Sequence, residues 1–254
     1  MNAKRILWRG SAAVEFNGTR ALDEGTLSAI NAYAGGTATA ENVYIARMVV
    51  CNDVVDHYST RFTKRALDQI VPLMLGANVL RNHNEYGSDD LPVARIFDTG
   101  QETVGGVTQD FAWIYWERGT EDGDAMARKF SLRIWREVSL SWWMRSFTNS
   151  VDGKPFDESP YYAGQELPGG TVVIGIMDDV VEVNEVSIVA RGGQKGTSIG
   201  QVRAPEGADD PSVLSLTAAA RARVTGAQAG LFARLLGKAQ ERPGFYESLG
   251  IGKK

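Results

Sequence analysis

The sequence predicts an α+β protein: a β-barrel-like core of mostly antiparallel strands flanked by helices, followed by a C-terminal helical tail. Three observations carry that reading. Strand-length runs rich in β-branched and aromatic residues recur between residues 41 and 190. Two segments with apolar residues at helical spacing interrupt them. At residue 191 the composition changes abruptly to glycine, proline and charge. The expected organisation is a segment 1–40 to which the pattern assigns no role, a core domain 41–190, a flexible linker 191–212 and a helical tail 213–254.

Taken in order, "ILWRGSAAVEF" reads as a strand and "DEGTLSAINAYAGG" as a short helix closed by Gly35–Gly36. "ENVYIARMVVCND" (41–53) is rich in β-branched and apolar residues, ends in Asn-Asp and reads as a buried strand. Thr63 is the expected N-cap of the next helix, whose stripe is Phe62, Ala66, Leu67, Ile70 and Val71, and Pro72 should kink or end it. Residues 78–100 give a short strand, a polar loop and a strand from about Pro92. An aromatic strand fills 105–119. Residues 122–135 are expected to form a helix capped by Asp122 or Asp124, with Met126, Phe130 and Ile134 facing inward. "REVSLSWWM" is the next strand, with Trp142 and Trp143 on opposite faces. A long loop, 148–170, leads to two β-rich runs around Asp178–Asp179 within 171–190. The tail carries Arg221, Arg223, Arg234 and Lys238, a locally basic helix by propensity.

Composition narrows the function. Hydrophobic residues make up 43 % and charged residues 23 % of the 254 residues, ordinary values for a globular protein. A net charge of −4 offers no electrostatic footprint for nucleic acid or an anionic membrane. One cysteine, Cys51, excludes an internal disulfide framework and a cysteine-based zinc site. No stretch reaches the ~18 apolar residues that a bilayer crossing needs. Use inside a cell, without a metal or other cofactor, is the expectation.

The two histidines, His57 and His83, limit the chemistry. A serine nucleophile needs a base within hydrogen-bond reach, and histidine is the usual one because its pKa lies near neutrality. A third group, often a carboxylate, orients that base. Read residue by residue, His83 in "RNHNEYG" is a loop side chain, Ser141 a strand hydroxyl and Glu185 in "VNEVSIV" a strand-face carboxylate. Other constellations are weaker. "HNE" lacks the paired histidines of a zinc helix, and no G-x-S-x-G elbow exists. Asp89–Asp90, Asp178–Asp179 and Glu182 leave open a carboxylate-based hydrolase.

Three segments in order resemble the phage prohead (capsid maturation) proteases, relatives of the herpesvirus assemblin serine proteases. "VVCNDVVDHYSTRFTKRALDQIVPLMLGANVLRNHNEYGSDDLPVARI" is similar to the family's strand, helix and strand ending in a catalytic histidine. "EVSLSWWMRS" is similar to its nucleophile strand, roughly Leu-Ser-[Ile/Val]-Gly-Phe, and "VNEVSIVA" to its Glu-Val-Ser-[Leu/Ile]-Val strand. The resemblance, over about 41–195, implies Ser141 as nucleophile, His83 as base and Glu185 as the orienting acid. Ser139 is then a same-face neighbour, Trp143 a cleft wall and Arg145 an oxyanion helper. It implies a serine endopeptidase that cuts scaffold, the N-terminal extension of the major capsid protein, and itself. Its setting would be the procapsid in the host cytoplasm, with a homodimer as the expected assembly. The alternative is an inactive capsid-associated structural protein with the same fold.

Overall fold

The computed structural model describes residues 6–12 (as backbone), 20–84, 91–194 and 198–199. Among these residues nine strands form one mostly antiparallel sheet: β1 (Ile6–Ala12), β2 (Val43–Asn52), β3 (Thr60–Phe62), β4 (Asn78–Arg81), β5 (Ala94–Val104), β6 (Val107–Glu117), β7 (Glu137–Asn149), β8 (Gly175–Val189) and β9 (Ser198–Ile199). Among the described residues three helices join them: α1 (Glu24–Ala34), α2 (Lys64–Leu73) and α3 (Glu121–Ser131). The sheet runs β1-β7-β8-β4-β5-β6-β2-β9, with β3 pairing beside β8. It does not close into the expected barrel. β1 takes the edge of β7 that a closing strand would need, while β9 pairs with β2 and its Ile199 amide donates to the carbonyl of Arg136, the residue before β7. Among the described residues, no helix is long and apolar enough to cross a membrane.

Alternation along the strands decides what each face meets. Val138, Leu140, Trp142 and Met144 of β7 enter one core with Val186 and Ile188 of β8, Val79 of β4, Ile96 of β5, Ile114 of β6 and Met48 of β2. Helix α2 supplies Ala66, Leu67 and Ile70 to that core, and α3 supplies Met126, Ala127 and Phe130. A second cluster, Ile30 with Val43, Ile45, Phe97 and Trp113, fastens α1 to the opposite face of β2, β5 and β6. The serines of β7 thus face away from the main core.

Local chemistry explains the helix limits. Asp23 and Thr63 cap α1 and α2 by accepting from the amides of Thr26 and Ala66. Gly35 closes α1 at φ 66°, a left-handed position that favours glycine. Helix α2 ends one residue after Pro72, whose ring cannot continue the ladder. Two expectations for α3 fail. Thr120 is the cap, accepting from the Gly123 amide, while Asp122 and Asp124 sit in the first turn. The helix also stops at Ser131, because Arg133 turns left-handed at φ 55°. Ile134 is therefore 66 % exposed instead of facing inward, and Trp135 packs against Phe130 in its place. The two runs expected around Asp178–Asp179 are one fifteen-residue strand, β8.

The first residues of the expected linker are held against the sheet by hydrogen bonds. Gln194 is buried and exchanges two hydrogen bonds with the Asn52 backbone, and the Gly192 amide donates to Glu137. The rest of the linker apart from Ser198–Ile199, the tail 213–254 and Asp89–Asp90 lie outside the described residues.

Candidate active site

Strands β7 and β8 run antiparallel with Ser139 opposite Ser187 and Ser141 opposite Glu185. Beyond that pair β8 bulges: Trp142 is opposite Val183, which leaves Asn184 unpaired in the ladder. On the other side of β8, β4 runs parallel to it, from Asn78 beside Glu185 to Arg81 beside Ile188. The chain then turns sharply. The Asn82 amide donates to the Ile188 carbonyl, and both Asn82 and His83 adopt left-handed backbone at φ 55°. Two consecutive non-glycine residues in that region cost roughly 1–3 kcal/mol each and persist only where the surroundings hold them. Here the His83 amide is held by the Ser187 hydroxyl oxygen, which accepts from it at 3.0 Å.

That turn folds the imidazole back over β8 to the level of Ser187, and so to the level of Ser139. His83 Nε2 lies 2.6 Å from Ser139 Oγ, and His83 Nδ1 lies 2.6 Å from Glu185 Oε1. The second carboxylate oxygen, Oε2, accepts from the Ser187 hydroxyl at 2.5 Å. Glu185 is 1 % exposed, and its two hydrogen-bond donors compensate the cost of burying a carboxylate. A carboxylate can only accept, so the imidazole proton belongs on Nδ1. Nε2 then carries the lone pair that faces the Ser139 hydroxyl.

The structure brings together His83, Glu185 and Ser139, and it does not bring Ser141 to the histidine. Ser141 lies one pleat along β7, about 7 Å away by strand rise. Its hydroxyl accepts from the Asn184 side chain at 3.3 Å. The physical reason is the left-handed turn at Asn82–His83, which sets the ring above the Ser139–Ser187 rung instead of the Ser141–Glu185 rung. The sequence held a signal for this register. Val138-Ser139-Leu140-Ser141-Trp142 fits an apolar, serine, apolar, small, aromatic pattern better than Leu140-Ser141-Trp142-Trp143-Met144 does. Ser187, which touches both Glu185 and the His83 amide, escaped the sequence reading. Only the pairing of β8 with β4 gives it a role.

The other expected residues fall at greater distance. Trp142 is core, against Phe62 at 5.0 Å between ring centroids, while Trp143 is half-buried on the serine face. Trp143 stands four residues from Ser139, about 13 Å along the strand, and Arg145 six residues, about 20 Å. Arg145 is exposed and lines a hollow with Asp179 and Val180, so it cannot serve an oxyanion at Ser139. Asp178 and Asp179 pair with Arg65 at 3.2 and 2.8 Å and fasten α2 to β8. His57 stands exposed on the turn before β3. A cavity of about 580 Å³ is lined by Arg81, Val93, Trp116, Met126, Lys129 and Trp135, and by none of the three site residues. Among the described residues, no group of three or more histidine, cysteine or acidic side chains comes together as a metal site would require.

No family model, curated protein or solved structure matches this chain.

Proposed function

We propose that this protein is a serine endopeptidase with Ser139 as nucleophile, His83 as general base and acid, and Glu185 as the orienting carboxylate. The observation that carries the reading is the continuous line Ser139 Oγ–His83–Glu185, with 2.6 Å at each link. Those distances lie within the range that proton transfer from a nucleophile to its base requires.

In the first step Ser139 Oγ bonds to the scissile carbonyl carbon while its proton passes to His83 Nε2. Glu185 stabilises the imidazolium so formed and remains ionised. The tetrahedral intermediate collapses as Nε2 gives the proton to the leaving amine nitrogen, the C–N bond breaks and an ester remains on Ser139. Water then attacks that ester with His83 again as base, releasing the acid and restoring the hydroxyl. Ser187 is a positioning residue: it holds the far oxygen of Glu185 and the backbone of His83 in one geometry.

The likeness of three ordered segments to prohead proteases supports a protein substrate of the capsid-assembly class: scaffold, the major capsid protein's N-terminal extension, or this chain itself. Purified wild type and His83→Ala would be incubated alone and with the capsid and scaffold proteins, and the products weighed by mass spectrometry. Discrete fragments from the wild type only are the expected result. Intact chains from both, with native circular dichroism, would sink the endopeptidase reading in favour of a structural capsid component.

A further inference from the structure

The nucleophile strand has no free edge in this structure. β8 lies on one side of β7, and the chain's own N-terminal strand β1 lies on the other, paired from Ile6↔Met144 to Ala12↔Val138. Arg9 is opposite Ser141, and Ser11 is opposite Ser139. Ser139 is 4 % exposed, so little of the residue is open to an incoming polypeptide in this arrangement.

In an antiparallel sheet each residue directs both its N–H and its C=O to the same neighbour, and successive residues alternate between neighbours. Along Val138–Met144, every second residue of β7 therefore spends its backbone groups on β1. Whichever parity holds, an N–H of Ser139 itself or of an adjacent residue is engaged by β1. An acyl-transfer site needs such donors within about 3 Å of the developing oxyanion. It also needs room for an extended chain, and a strand edge provides that through main-chain hydrogen bonds. β1 occupies both. It is an end strand, reached from one side only in the sheet order, and its sequence places Gly10 in its interior, where glycine weakens strand pairing.

We propose that β1 is an inhibitory strand: it fills the place on β7 that an extended polypeptide substrate takes, and its departure frees the backbone amides beside Ser139. This rests on Ser139 being a nucleophile. The resting protein is then closed, and a substrate segment, or removal of the N-terminal segment by cleavage, opens it.

The test uses the full chain and a fluorophosphonate probe, whose phosphonyl oxygen needs the same donors as a scissile carbonyl. Arg9→Pro and Gly10→Pro are made separately. Because neighbouring residues alternate in direction, one of the two removes an N–H that points at β7. At least one should label Ser139 about tenfold faster than wild type, since the rate scales with the open fraction. A second variant, Leu7→Cys with Trp143→Cys, joins positions paired across the two strands, at a separation that a disulfide can span. Oxidised, it should label about tenfold more slowly than when reduced, by the same population argument. If Ser139 labels in the wild type and neither the prolines nor the disulfide change its rate, the inhibitory role of β1 is wrong while the serine chemistry stands. If no form labels and all are folded, both readings fall.

Discussion

Replacing the two serines of β7 one at a time separates their roles by orders of magnitude. Ser139→Ala removes the oxygen that lies 2.6 Å from His83 Nε2. Without a nucleophile, related triads lose on the order of 10⁴ to 10⁶ in turnover, equivalent to roughly 5–8 kcal/mol of barrier. Ser141→Ala removes, among its contacts, the acceptor for the Asn184 amide at 3.3 Å and touches neither His83 nor Glu185 through any contact described above. That amide is part-buried and can turn towards solvent, so the loss is about 0.5–1.5 kcal/mol of stability. For a chain of this size it amounts to a fall of roughly 2–4 °C in Tm per kcal/mol. Turnover should stay within about threefold of wild type, since no reacting atom is touched. The assay is the second-order rate of fluorophosphonate labelling, with the modified residue mapped by mass spectrometry and Tm read by circular dichroism. Loss of labelling in Ser141→Ala, with Ser139→Ala still reactive and both folded, would refute the assignment of the register.

Three further expectations rest on the same geometry. Glu185→Gln keeps the volume but puts either a neutral oxygen or an N–H against His83 Nδ1. Turnover should fall towards the ~10⁴-fold seen when an orienting carboxylate becomes an amide, with KM little changed. Gly123→Ala should destabilise by roughly 1–3 kcal/mol in urea unfolding, because an added Cβ would lie 2.0 Å from the Glu117 carbonyl oxygen. An unfolding energy equal to wild type would show that the start of α3 yields freely. Burial pushes the Asp110 carboxyl up to about 7, against hydrogen bonds from Gln101 and Cys51 that oppose the shift. A carboxyl with a raised folded pKa binds its proton in the folded state before the unfolded one does. Stability from this group is therefore present below pH 4 and lost as pH rises to 7, about 2–3 kcal/mol of it between pH 5 and 8. Asp110→Asn should remove that slope and be the more stable form at pH 8; parallel pH profiles for the two proteins would contradict it.

The sequence by itself determined what local chemistry and periodicity determine. Alternation along 136–146 separated Trp142 from Trp143 and put Ser139 and Ser141 on one face, because a pleat allows nothing else. Thr63 as a cap, Gly35 as a helix end and the buried run of β2 were legible for the same local reasons. His83 and Glu185 were legible as candidates because only two histidines compete for the role and because the flanking strands resemble a known pattern. The limits of α3 were not, since a left-handed Arg133 overrides a stripe that would otherwise extend to Ile134. Nor was the choice between the two serines. It depends on how far β4 runs along β8, and on a turn of two left-handed residues that drops the imidazole one rung back. Ser187 likewise has a role only because β8 passes between β4 and β7. The covered edge of β7 belongs here too: a segment that pattern reading left without a role pairs with residues more than a hundred positions away. Periodicity fixes which face a side chain takes, whereas register between distant strands is set by packing and turn geometry, and at this site a single rung decides which hydroxyl meets the base.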